Sequence, residues 1–200
     1  MNMKIDVLTK EEARKLPKGI LGCKAPANFT GQKNGDGSCN WWLRSPGPNV
    51  IDAACVFGED GNEIVEDGDV IVFVRNVWFK LGVRPALRIS DISDLARDED
   101  GYILYGNLDG TDIKWIDISD YLDEPALLMK ECLPETRRYN KNINKHDDSE
   151  IKRYLEENDT NIKFSFKIIS EPKTNKKTNI YKTSEIKNYL DKLKNKIFTD

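Results

Sequence analysis

The 200-residue chain predicts an α+β domain, in which a twisted antiparallel sheet carries flanking helices and long loops. Three observations predict it. Apolar or alternating runs of strand length recur between residues 53 and 129. Asp-Gly dipeptides, which turn a chain tightly, punctuate those runs at Asp60-Gly61, Asp67-Gly68, Asp100-Gly101 and Asp109-Gly110. Helical periodicity is confined to short stretches opened by Thr or Ser.

The first element is a short helix. Thr9 with Glu12 three residues later makes a capping-box pattern, Ala13 and Leu16 share one face, and Pro17 stops the run. Residues 17–40 are glycine-rich without periodicity and predict a long ordered loop. Strands are expected at Ala53–Phe57, Val70–Val74 and Val83–Ile89, where Pro85 argues for a sheet edge or an irregular strand. Tyr102–Tyr105, Asp112–Ser119 and Ala126–Met129 predict three more. Val70–Val74, Val83–Ile89, Asp112–Ser119 and Ala126–Met129 are expected in one layer.

Ser149-Glu-Ile-Lys-Arg-Tyr-Leu155 recurs as Ser184-Glu-Ile-Lys-Asn-Tyr-Leu190, with a strand expected between them at Lys163–Ser170. Each copy begins with a good N-cap and sets Ile, Tyr and Leu on one helical face. The second continues its stripe through Leu193 and Ile197. Charge is distributed unevenly, with 15 Lys/Arg against 23 Asp/Glu in residues 1–134 and 16 against 11 in residues 135–200. The expected organisation is therefore a core over 1–134 and a basic region over 135–200 whose duplicated helix completes it or is appended to it.

Hydrophobic residues make up 38% of the chain and include four Trp, enough for a sizeable core. No apolar N-terminal segment or membrane-length run is visible, so a soluble cytoplasmic protein is expected. The apolar stripe of the second helix copy is expected to pack within the chain, which favours a monomer over a dimer. Cys23, Cys39, Cys55 and Cys132 have neither Cys-x-x-Cys spacing nor disulfide-framework density, and are expected reduced and packed.

Two hexapeptides stand out, Trp41-Trp42-Leu43-Arg44-Ser45-Pro46 and Gly82-Val83-Arg84-Pro85-Ala86-Leu87. The pair resembles the signature of an uncharacterised bacterial domain family whose fold is similar to the C-type-lectin-like fold of formylglycine-generating enzymes and of the variable proteins of diversity-generating retroelements. Three further pieces, Lys114–Asp117, Ala126–Lys130 and Ser149–Leu155, resemble segments that precede the first motif in that family but follow it in this chain, as a circular permutation would arrange them. The resemblance implies a C-type-lectin-like α+β domain, with ligand-facing residues between the two motifs: Asn49, Asp52, Arg75, Asn76 and Trp78.

Within the motifs a structural role is expected for Trp41, Trp42, Arg44, Gly82, Arg84 and Pro85. One Trp should be core and the other half-buried, while the buried guanidinium groups should tie loops together. Gly82 and Pro85 fit backbone constraints.

The catalytic inventory is thin. The one histidine, His146, sits in a polar Lys-His-Asp-Asp stretch and reads as a solvated loop residue, which leaves no His-based metal cluster or His-activated nucleophile. The paired catalytic cysteines of formylglycine-generating enzymes have no match. Neither do the Glu-Pro-Asn and Trp-Asn-Asp calcium ligands of lectins, because Glu124-Pro125 is followed by Ala126 and Trp41 by Trp42. The acidic Asp98–Gly101 segment reads as a turn. No catalytic residue, metal or cofactor is expected.

The expected function is a non-catalytic binding module that recognises a protein or glycan through its loops, with Trp78 and Phe79 as an aromatic anchor. One alternative is a phage- or prophage-encoded virion or host-interaction protein, which the Lys-, Asn- and Ile-rich composition permits. The other, less favoured, is nucleic-acid binding through basic residues of 135–200, among them Lys173, Lys176, Lys177 and Lys182.

Overall fold

The computed structural model describes residues 4–56, 72–108 and 110–159, all of which fall within the first of two compact units, residues 1–167. The turns at 60–61 and 67–68, the strand expected at Lys163–Ser170 and the second helix copy lie outside the described residues.

The fold mixes helix with mostly antiparallel strand. A five-stranded sheet runs in the order β1 (Lys4–Asp6), β6 (Ala86–Arg88), β9 (Ala126–Met129), β8 (Thr111–Asp117), β7 (Ile103–Leu108). A three-stranded sheet is formed by β2 (Trp41–Pro46), β3 (Asp52–Val56) and β4 (Val72–Asn76), and a two-residue pair by β5 (Lys80–Leu81) and β10 (Arg137–Arg138). The helices are α1 (Lys10–Lys15), α2 (Lys18–Leu21), α3 (Ser119–Leu122) and α4 (Glu150–Asp159). Among the described residues no helix is long and apolar enough to cross a membrane.

The local chemistry explains the ends of the elements. Thr9 Oγ1 accepts from Glu12 N–H while Glu12 returns a bond to Thr9 N–H, so both reciprocal caps of α1 are made. Ser149 Oγ accepts from Lys152 N–H at the start of α4, whose Ile151 and Leu155 are buried and Tyr154 half-buried. The β7–β8 hairpin is entered by an Asp-Gly turn. Asp98 Oδ1 accepts from Asp100 and Tyr102 N–H, and Gly101 takes φ +85°, where a side chain would be strained.

Apolar packing occurs on both faces of the central strands. Trp42, Ala53, Cys55, Leu87, Leu127 and Met129 enter one cluster, while Trp41, Leu43, Ala54, Val56, Ala86, Ala126 and Leu128 enter another. Successive strand residues point to opposite faces, so a doubly covered strand reads as a continuous apolar run. This accounts for Ala53–Val56, Ala126–Met129 and the two adjacent tryptophans.

Four expectations are corrected. Val72–Asn76 does not join the layer that holds Ala86–Arg88, Thr111–Asp117 and Ala126–Met129, because it pairs with β3 in the smaller sheet. Strand β6 is interior, flanked by β1 and β9. It begins after Pro85, so the missing proline N–H takes nothing from its ladder, and Pro85 still accepts from Met129 N–H. The expected loop 17–40 contains the single helical turn α2 and a Lys24–Ser38 bridge. Strands β1 and β2 are additions, since neither shows a clean period of two.

Candidate functional site

The two signature hexapeptides meet through their backbones. Trp42 N–H donates to Gly82 O at 3.0 Å and Gly82 N–H donates to Asn40 O at 2.8 Å. Gly82 is required there, because a Cβ would lie 2.7 Å from Cys132 Sγ and 3.0 Å from Asn40 O. Both tryptophans are fully buried, correcting the half-buried expectation for one of them. Trp41 Nε1 donates to Leu21 O and Trp42 Nε1 to Arg137 O. Arg84 is fully buried too. Its guanidinium donates to the carbonyls of Met129, Ile20, Leu21 and Lys130 and stands 5.2 Å from the Trp41 ring, so it ties α2 to the end of β9. Arg44 is half-buried and pairs with Asp6 at 3.4 Å and Glu12 at 3.3 Å.

The residues between the motifs collect at one end of the small sheet. Asp52 is registered opposite Asn76, Ala53 opposite Arg75, and Asn49 Nδ2 donates to Asp52 Oδ2 at 2.6 Å. Trp78 stands two residues after β4, with its N–H directed at Asn76 Oδ1. Three segments are laced together at this end, since Val77 N–H donates to Ile51 O and Asn144 N–H donates to Val50 O. Asn144 Nδ2 bonds the Asn49 and Asp52 carbonyls. On these segments Val50 (71%), Trp78 (51%), Phe79 (52%), Ile143 (43%) and Ile51 (37%) are exposed. The five expected residues are therefore brought together. Val50, Ile51, Ile143 and the clamp Asn144 were missed, and Asn144, which lies more than 90 residues from its partners, carries no sequence signal.

His146 is a correction. The Lys-His-Asp-Asp stretch coils into a 3-10 turn that turns the imidazole inward, with its Nε2 2.9 Å from Asp6 Oδ1 and its side chain only 14% exposed. Burial raises the Asp6 pKa, but the bonds from His146 and Val7 N–H and the charge of Arg44 outweigh it, leaving the carboxyl below its ordinary value. Ser149 Oγ lies 3.5 Å from His146 Nδ1, giving a Ser–His–Asp sequence of contacts. It does not make a nucleophile, because Ser149 is fully buried and its oxygen is committed to capping α4. The adjoining cleft of about 320 Å³ mixes Lys4, Asp6, Arg44, Asp147 and Lys152, whose charges largely satisfy one another.

The cysteines are reduced and packed, as expected, but not scattered. Cys23 Sγ lies 3.4 Å and Cys39 Sγ 3.2 Å from Cys132 Sγ. Hydrogen bonding from Cys132 and Cys39 holds the Cys23 thiol far below its usual range, with the Arg84 charge adding to the effect, while burial pushes Cys132 up. Cys55 stands apart in the other apolar cluster, and burial pushes its thiol up to about 12.

Comparison with known protein families, curated proteins and solved structures finds no match to this chain.

Proposed function

We propose that this chain is a non-catalytic binding module of C-type-lectin-like character that recognises a protein partner through the loop surface at the end of the small sheet. The observation that carries this reading is the exposure of Trp78 and Phe79 side by side, next to Val50, Ile51 and Ile143 on segments held by backbone hydrogen bonds. Exposed apolar side chains gathered on adjoining segments mark interaction sites when they form a patch larger than a few hundred Å². Trp and Arg dominate interface energetics, and a polar rim such as Asn49, Asp52, Arg75 and Asn76 suits such an anchor. A fixed backbone beneath the aromatics limits the ordering cost on binding. The family resemblance supports the same surface, since it places ligand-facing residues between the two motifs.

The test is quantitative capture from a bacterial lysate with wild-type and Trp78→Ala baits, alongside glycan binding with and without calcium. A specific protein retained by wild type should bind the variant at least about 30-fold more weakly, as loss of a 2 kcal/mol anchor implies, with the melting temperature unchanged. A variant that retains the partner, or that unfolds, overturns the assignment. Binding to glycans in place of protein replaces the partner class.

A second reading has one observation of its own. A groove between β10 and α4 is lined by Arg137, Arg138, Lys141 and Arg153 against a single acid, Glu150, with Tyr154 beside them. That composition favours a phosphate-bearing ligand such as nucleic acid. Arg138 is already paired with Glu150 and Arg137 with Glu135, so this reading stands second. Nucleic-acid affinity unchanged across a salt titration removes it.

A further inference from the structure

We propose that Cys23, Cys39 and Cys132 form a three-thiolate site for a zinc ion, with the buried Arg84 guanidinium balancing its charge. Three elements far apart in sequence converge on the site. Cys23 follows α2, Cys39 precedes β2, and Cys132 follows β9. Cys39 N–H donates to Cys23 O at 2.9 Å, Ala25 N–H donates to Gly37 O, and Lys24 bridges Ser38, so two loop segments are zipped together to bring the first two thiols face to face. Leu133 N–H donates to Val83 O, which fixes the third beside Gly82. The three sulfur atoms lie within 4.8 Å of one another, and all three residues are buried. The closest pairs, at 3.2 Å and 3.4 Å, sit slightly inside the spacing of roughly 3.7 Å that tetrahedral zinc–sulfur bonds of about 2.3 Å require, so each sulfur moves by only a few tenths of an ångström on filling.

Charge and donor type narrow the ion to a divalent, thiophilic one such as zinc. Arg84 is fully buried, and its guanidinium meets neutral partners: four backbone carbonyls and the face of Trp41. A buried cation requires a compensating anion, and two of those carbonyls, Leu21 and Lys130, stand two residues before Cys23 and Cys132. Three thiolates around a divalent ion carry one net negative charge, which a single guanidinium neutralises. A cuprous ion would leave a second negative charge in the core. Hard cations such as calcium and magnesium select oxygen donors, whereas this cluster offers only sulfur. Among the described residues no fourth Cys, His, Asp or Glu joins the group, so one coordination position is left to a ligand from outside the cluster.

Gly82 acquires a second reason to be glycine in this arrangement. A Cβ there would press on Cys132 Sγ and change the spacing of the thiols.

The experiment uses the full chain, purified under reducing conditions without chelator. Elemental analysis should find one zinc per chain. Cobalt substitution should give a thiolate-to-metal charge-transfer band, and chelation should expose Cys23, Cys39 and Cys132 to alkylation. Cys132→Ser should lose the metal and Cys55→Ser should keep it. Because Cys132→Ser alters a packed core, the wild-type measurements decide independently of that variant. Wild-type protein refolded with excess zinc that holds none overturns the proposal. So does an intact mass showing a disulfide among these residues under the same reducing conditions, since the thiols then form a redox pair and not a metal site.

Discussion

Arg84 and Arg44 are the single arginines of the two hexapeptides and behave differently, for a reason that exposure decides. The Arg84 side chain is sealed in the core and satisfies four carbonyls, whereas the Arg44 side chain is 26% exposed and pairs with carboxylates that water can partly replace. Arg84→Met leaves buried acceptors without donors, each worth about 1–3 kcal/mol, so a loss of at least about 3 kcal/mol is expected in urea unfolding. Arg44→Met should cost nearer 1 kcal/mol, in line with partly screened ion pairs. Equal effects would show that the Arg84 bonds are replaced by water. The structural role of both residues was legible, because a charge set between large apolar groups must find internal partners. Which carbonyls Arg84 would meet was not legible, since they belong to α2 and β9, far along the chain.

At the scale of elements, strands and caps that depend on neighbouring residues were readable, and those that depend on distant partners were not. The α1 capping box, the α4 N-cap and β9 match expectation because each is specified within a few residues. Strand β1 is three residues long and exists through its pairing with β6, at least 80 residues away, so its sequence carries no period to read. The three-cysteine cluster is likewise a product of topology. The Asp98 turn gives an element-scale prediction. Its Oδ2 lies 2.6 Å from Lys114 Nζ, and that bond, with support from Tyr102 N–H, holds the carboxyl below its ordinary 3.8. A lowered folded value means that the stabilisation is complete above pH 3.8 and is lost as the pH falls through the lower folded value. Asp98→Asn keeps the Oδ1 acceptor of the turn and removes the charge. The stability difference between wild type and variant should therefore be constant from about pH 5 to about pH 7 and close in more acidic buffer. A difference that persists there assigns the effect to the turn alone.

Across the whole molecule, the five-stranded sheet joins the N-terminal strand to strands from the middle of the chain, and residues beyond 134 contribute to the same core. Tyr139 is fully buried, donates to Arg44 O at 2.7 Å and meets Trp42 edge-on at 5.5 Å between ring centres, while Ile151 and Leu155 enter the apolar cluster of Trp42 and Leu87. Among the described residues the core thus continues across position 135. Leu155→Ala should lower global stability by about 2–5 kcal/mol while keeping one cooperative transition. A separate early transition would mean that α4 melts by itself.

The partnership of β1 with β6 also bears on how the chain is made. Lys4 is registered with Arg88, so β1 leaves the ribosome without its partner strand until the second signature motif has been translated. At about 5–20 residues per second that interval is roughly 4–17 s, far longer than local hairpins need to close. During it Val7 and Leu8, both fully buried in the finished protein, lack the β6 and β9 members of their clusters, Leu87 and Leu127 for Val7 and Ala86 and Leu128 for Leu8. Nascent chains halted before residue 86 should therefore be held by chaperones, and those released after residue 159, with Tyr139, Ile151 and Leu155 in place, should not.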